Sequence, residues 1–238
     1  MSTTVPNKAE PVLRAQELSK QVTSPEGPLT ILDDVSLAVG QGESIAIVGA
    51  SGAGKSTLLG LLAGLDVPST GRIWLGPHEI TALDEDGRAA LRADHVGFVF
   101  QSFHLISSLT ALENVMLPLE LSGKDDARGA ALEAIRTVGL EPRRNHYPHQ
   151  LSGGEKQRVA IARAFVVQPA VLFADEPTGN LDNQTGAAVI DLLFKMNAES
   201  RTTLVLVTHD LGLAEQCDRM LFMDGGRIDK ESSRERKP

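Results

Sequence analysis

A glycine-rich octapeptide constrains this chain more than any other feature: Gly49-Ala50-Ser51-Gly52-Ala53-Gly54-Lys55-Ser56. It fits G-x-x-x-x-G-K-[ST], and it lies between the apolar run Ser44–Val48 and a Leu-rich stretch, Lys55–Ala63, that reads as a helix. Glycines at this spacing let consecutive N–H groups turn inward around phosphate oxygens, and the helix start adds partial positive charge. Residues 49–57, ending at Thr57, are therefore the expected phosphate-binding set. Within it Lys55 is placed to reach β- and γ-phosphates and Ser56 to ligate Mg²⁺. A strand–loop–helix unit of this kind belongs in a parallel sheet, so the expected fold class is α/β.

Three more near-continuous apolar runs, Val96–Phe100, Val171–Ala174 and Thr203–Val207, read as strands buried on both faces. The second runs into Asp175 and Glu176: a carboxylate at the strand tip suited to Mg²⁺, then one able to orient and deprotonate water. Phosphate loop and acidic pair together point to a nucleotide hydrolase. Other classes fall away. With 23 Lys and Arg against 31 Asp and Glu, a net charge of −8 argues against sequence-independent nucleic-acid binding. No apolar run approaches a bilayer span, Leu58–Leu65 being broken by glycines. The polar start lacks a signal-peptide core, and the single cysteine, Cys217, forms no internal disulfide, which suits a reducing compartment.

Val12–Leu18, Leu29–Val35 and Ser36–Val39 are separated by polar turns and suggest an antiparallel flank, with Trp74 packed on a further strand, Arg72–Leu75. Helices are expected over Thr110–Leu121, opened by a Thr110/Glu113 capping box, over Asp125–Val138, closed by Gly139, and over Glu155–Val167. Residues 102–150 show helical patterns without a convincing strand, which suggests a helical insert. Residues 1–11 and 231–238 read as frayed tails.

Three further elements follow in a fixed order: Gln101 after Val96–Phe100, Leu151-Ser152-Gly153-Gly154-Glu155 at a helix start, and His209 after Thr203–Val207. This order resembles the ATPase subunits of ABC transporters over residues 12–230. The resemblance implies a single domain with a RecA-like P-loop NTPase core, residues 12–101 and 168–230, and an inserted α-helical signature subdomain at about 102–167. It implies ATP and Mg²⁺ as cofactors and a homodimer with ATP at its interface. Leu151, Ser152, Gly153, Gly154 and Glu155 would then bind the ATP held by the other copy, with Asp182 at the seam. Gln101 would touch Mg²⁺ or the attacking water, and His209 the γ-phosphate. Two departures stand out. Where the family usually carries an adenine-stacking aromatic, Leu18–Val22 offers Val22 and no ring, so base recognition should be weaker and ATP/GTP discrimination poorer. Glu155 replaces the more usual Gln, with little effect expected on phosphate binding.

Only residues 102–150 separate Gln101 from the signature, too few for the coiled coil of SMC-like relatives, and 238 residues do not hold tandem cassettes. Stretches 97–115, 147–164 and 174–182 look most like the group containing LolD, MacB and FtsE. That likeness implies an inner-membrane permease of MacB/FtsX type, hydrophobic or lipid-linked cargo, a peripheral cytoplasmic-side location and a periplasmic accessory protein. Phe103, Leu105, Leu109 and Leu112 are candidates for either permease contact or core. An amino-acid or ion importer ATPase and a non-transport regulatory ATP-binding module are the alternatives. Arg143 and Arg144 read as a solvated pair, and His146, Tyr147 and His149 as loop residues rather than a metal cluster.

Overall fold

The computed structural model describes residues 10–25 and 27–233. Two sheets meet across the phosphate-loop helix. The first is antiparallel and built on a long hairpin, β1 (Leu13–Ser24) and β2 (Gly27–Val39). β4 (Thr70–Leu75) adds to β1, and the short β5 (His78–Glu79) adds to β4. The second sheet contains β3 (Ser44–Gly49), β6 (Val96–Phe100), β7 (Val171–Asp175), β8 (Thr203–Thr208), β9 (Arg219–Asp224) and β10 (Arg227–Ser233). Its order is β10-β9-β3-β8-β7-β6, parallel except for the antiparallel β10 edge. The expected α/β core with an antiparallel flank is what the chain adopts.

Burial explains why β3, β7 and β8 lack hydrophobic alternation. Ile45 and Ile47 face a core shared with Leu13, Leu18, Leu32, Leu58 and Leu61. Their neighbours Ala46 and Val48 face a second core on the opposite side of the sheet, with Leu172, Leu204, Leu206 and Val159. The Leu-rich helix α1 (Lys55–Leu62) fills the first core. α3 (Ala111–Leu121), α4 (Ala127–Thr137) and α5 (Gly153–Phe165) pack on one another against the second. The Thr110/Glu113 capping box forms as expected.

Several elements differ from the sequence expectation. Leu29–Val35 and Ser36–Val39 form one strand, β2, with Asp34 at φ 55 where the pairing to β1 is irregular. α2 (Glu85–His95) carries no buried residue, so hydrophobic periodicity does not announce it. It is held by its Asp84 cap and by Arg88 and Arg92 paired to Glu85. α6 (Asn183–Ser200), α7 (Leu211–Ala214), β9 and β10 also went unpredicted. β10 runs through Ser233, three residues into the stretch read as a C-terminal tail. Residues 1–9 and 234–238 of the two expected tails lie outside the described residues. Trp74 is only partly buried, with the Arg14 guanidinium 3.9 Å above its ring. Arg143 is exposed, as expected, and additionally pairs with Glu155 at 3.2 Å.

Candidate nucleotide-binding site

β3 delivers the chain to Gly49, where a Cβ would lie 2.3 Å from the Met223 carbonyl of β9. Only glycine fits so close to the neighbouring strand. Gly54, at φ 94, opens α1 without a side-chain cap, which leaves the helix start shaped for an anion. The Lys55 ammonium donates to the carbonyls of Gly49 and Ala50, each at 2.8 Å. It lies folded over the loop it would share with a phosphate.

The Ser56 hydroxyl lies 3.4 Å from Asp175 Oδ1 at the tip of β7. Burial pushes the Asp175 carboxyl above its usual range; the Ser56 hydrogen bond works against this, the neighbouring Glu176 adds to it, and Lys55 opposes it. A hydroxyl and a partly buried carboxylate are hard oxygen donors, and such a pair fits Mg²⁺. Glu176 adopts a left-handed backbone at φ 45, which costs a non-glycine residue about 1–2 kcal/mol. The Glu176 N–H is satisfied by the Val207 carbonyl at 2.9 Å, and its Oε1 lies 2.8 Å from His209 Nδ1. Strand ends β7 and β8 thus hold the two side chains together.

The cleft around these groups is lined by Ile31, Gly49–Gly52, Gly54–Thr57, Glu176, Val207 and His209. Ala53, buried beneath the loop, supports it from the core. Gln101 stands apart: its side-chain amide donates to Asn180 Oδ1 at 3.2 Å, and Asn180 Nδ2 donates to the Gln101 backbone carbonyl at 3.0 Å. Val22 pairs with Leu29 across the hairpin, and both are exposed. It does not line the cleft. Ile31 does, and sequence reasoning missed it because an aliphatic side chain on β2 carries no signature that sets it apart from core, unlike an aromatic ring on β1.

The signature forms a second, separate structure. Leu151 is buried, and Ser152 caps α5 by accepting the Glu155 N–H at 3.3 Å. Glu155 returns the bond to the Ser152 N–H at 2.8 Å, and that donation, opposed by burial and helped by Arg143, holds its carboxyl below the usual range. Asp182 caps α6 through the Thr185 N–H at 2.9 Å, which likewise lowers its pKa. Gly153 and Gly154 face this second helix start: a Cβ on Gly153 would lie 3.1 Å from Leu181, and one on Gly154 only 2.4 Å from Thr185 Cγ2. Of the four permease-contact candidates, Leu112 is core, while Phe103, Leu105 and Leu109 are partly buried.

A phosphate loop, a strand-end carboxylate pair and a doubly covered parallel sheet define a P-loop nucleotide hydrolase. A family model described as ABC transporter matches residues 32–179. The ABC transporter ATP-binding protein YbbA of Escherichia coli (strain K12) is 54% identical over 94% of this chain and 99% of its own. The lipoprotein-releasing system ATP-binding protein LolD of Xanthomonas euvesicatoria pv. vesicatoria (strain 85-10) is 48% identical over 94% of this chain and 92% of its own. Among solved structures, the dimeric post-hydrolysis cassette MJ0796 bound to ADP and Pi superposes with a TM-score of 0.85 at 39% identity, covering 93% of this chain and 98% of that one. The chain belongs to the ABC transporter family, as an ATP-binding subunit with ATPase activity coupled to transport. No helix among the described residues is long and apolar enough to cross a membrane.

Proposed function

We propose that this chain works as a head-to-tail homodimer around two ATP molecules and drives a separate bacterial inner-membrane permease. One observation carries the reading. The cleft is built from the phosphate loop, Glu176 and His209, while Leu151–Glu155 and Asp182 stand outside it. Those residues occupy two adjoining helix starts, braced by their own caps. A helix start with oriented N–H groups suits the γ-phosphate of an ATP held by a second copy. MJ0796, solved as a dimer, is an assembly of the kind this geometry fits.

In this reading Lys55 exchanges its loop carbonyls for β- and γ-phosphate oxygens. Ser56 and Asp175, with Gln101 brought in, would hold Mg²⁺. When bound, Mg²⁺ neutralises charge on the β- and γ-phosphate oxygens. Glu176 accepts a proton from the attacking water as the bond from the γ-phosphorus to the bridging oxygen breaks and ADP leaves. His209 fixes the Glu176 carboxylate and contacts the γ-phosphate. Most of the rate then comes from positioning and preorganised charge. Ile31, which lines the cleft where Val22 does not, borders the base.

The likeness to LolD and YbbA supports a permease of MacB/FtsX type, hydrophobic or lipid-linked cargo and a periplasmic accessory protein. The ATPase would sit peripherally on the cytoplasmic face, with Phe103, Leu105 and Leu109 near the docking groove. Affinity capture from detergent-solubilised bacterial membranes tests this: a permease with few membrane helices and a large extracytoplasmic domain supports it. An importer-type channel permease, or no membrane protein at all, overturns it.

A further inference from the structure

The strongest unexplained polar contacts outside the cleft come from two side chains of α5, Gln157 and Arg163. Gln157 is fully buried, and its amide donates to the carbonyls of Pro177 at 2.6 Å and Phe100 at 3.4 Å. One carbonyl follows the Asp175–Glu176 pair; the other immediately precedes Gln101. Nearly two turns further along α5, the Arg163 guanidinium donates to the carbonyls of His104 at 2.7 Å and Phe103 at 3.0 Å. These two residues are consecutive and both left-handed, at φ 61 and φ 47. Neither is glycine, so the turn is strained, and a fork of two N–H donors is the side chain that can hold both carbonyls at once. The side chains close the same joint. The His104 ring stacks on Phe100 with centroids 4.6 Å apart, and a Cβ on Gly153 would lie 3.9 Å from the Phe103 ring.

Residues 100–104 are therefore gripped on both sides of Gln101 by the helix whose first turn is the signature. We infer that Gln157 and Arg163 are positioning residues that make the Gln101 loop and α5 one mechanical body. Arrival of ATP at a copy's own site, sensed through Gln101, then aligns that copy's signature with the opposite ATP. This inference rests on the head-to-tail dimer proposed above. It assigns the coupling between the two sites to two donors that touch neither nucleotide.

The test compares ATPase rate against ATP concentration for the full chain and for Arg163→Gln, Arg163→Lys and Gln157→Met. Two coupled sites give a Hill coefficient of up to about 2. Arg163→Gln and Gln157→Met are expected to bring it toward about 1 and to lower kcat, with fluorescent-ATP affinity of the isolated subunit unchanged. Arg163→Lys should fall between, because an ammonium serves two fixed carbonyls less well than a planar fork. Adding Phe103→Gly or His104→Gly to Arg163→Gln should restore part of the cooperativity, since glycine accepts the left-handed turn unaided. A purely structural arginine would gain thermal stability from that glycine without regaining cooperativity. Should a variant fold poorly, amide hydrogen exchange on the unmodified chain still decides. Peptides covering 100–104 and 151–157 should become protected at the same ATP concentration. Separate protection midpoints, or a sigmoid curve undiminished in Arg163→Gln, would overturn the coupling. Failure of the dimer itself reads out differently, as Glu176→Gln remaining monomeric with ATP in light scattering.

Discussion

Glu155 closes the first turn of α5, and its surroundings say what the charge contributes. The Ser152 N–H and, more weakly, Arg143 favour the ionised carboxyl in the folded chain. A folded pKa below the unfolded one gives stability that is present above the ordinary glutamate value, about 4.3, and is lost as pH falls through the depressed value. Arg143 is half exposed, so the ion pair is worth about 0.5 kcal/mol. Glu155→Gln keeps an acceptor for the Ser152 N–H. It should therefore lower stability by that small amount at pH 7 and by progressively less as pH falls below about 4.3, with ATP turnover at the parent level. Chemical denaturation on both sides of that value checks it. Gly154 makes a sharper demand. A methyl group there meets Thr185 Cγ2 at 2.4 Å, so Gly154→Ala should cost about 1–3 kcal/mol by overpacking. Thr185→Ser removes only the offending methyl and should recover most of that loss in the double variant; additive losses would mean that the two residues do not meet.

At the scale of elements, the β1–β2 hairpin decides how the base is held. Ile31 lines the cleft, whereas Val22 is exposed and paired with Leu29. Losing an isoleucine contact of this size removes about 1–2 kcal/mol, so Ile31→Ala should weaken ATP binding roughly tenfold and Val22→Ala much less. Aliphatic contact without ring stacking also predicts similar affinities for ATP and GTP. Equal losses for the two alanine variants in nucleotide titrations would place the base elsewhere. The sequence showed that no ring was available, but it did not show that the next strand supplies the contact. That boundary recurs across the molecule. The parallel strands were legible because burial on both faces leaves unbroken apolar runs, and the phosphate loop because its glycines answer to local geometry. α2 was illegible because it buries no residue fully, Leu91 only partly entering the core, and it persists through Arg88, Arg92 and its cap. α6 hid behind Asp182, which was noticed as a seam residue and not as a helix cap. The grips of Gln157 and Arg163 on residues 100–104 span about sixty positions of chain, and local sequence pattern carries no record of such contacts.

For the whole molecule, the decisive question is whether signature and phosphate loop act within one copy or between two. Leu151–Glu155 and Asp182 lie outside the cleft that holds Lys55 and Glu176. In the proposed head-to-tail dimer, each copy would offer half of two sites. Lys55→Ala removes the charge that would meet the β- and γ-phosphates. Ser152→Glu places an anion where the opposite γ-phosphate would sit, at a loss of about 1 kcal/mol in capping. Either variant alone should be inactive, because every site in its dimer carries one fault. Mixed in equal amounts, half of the dimers pair the two variants, and in those both faults fall on one site while the other is whole. Turnover should then return to about a quarter of the parent rate if the sites act independently, and to less where they are coupled. A signature working on its own copy's ATP leaves a fault in every functional unit, so the mixture would stay inactive. The two outcomes are separated by a single rate measurement, with thermal melting of each variant confirming that both folds are intact.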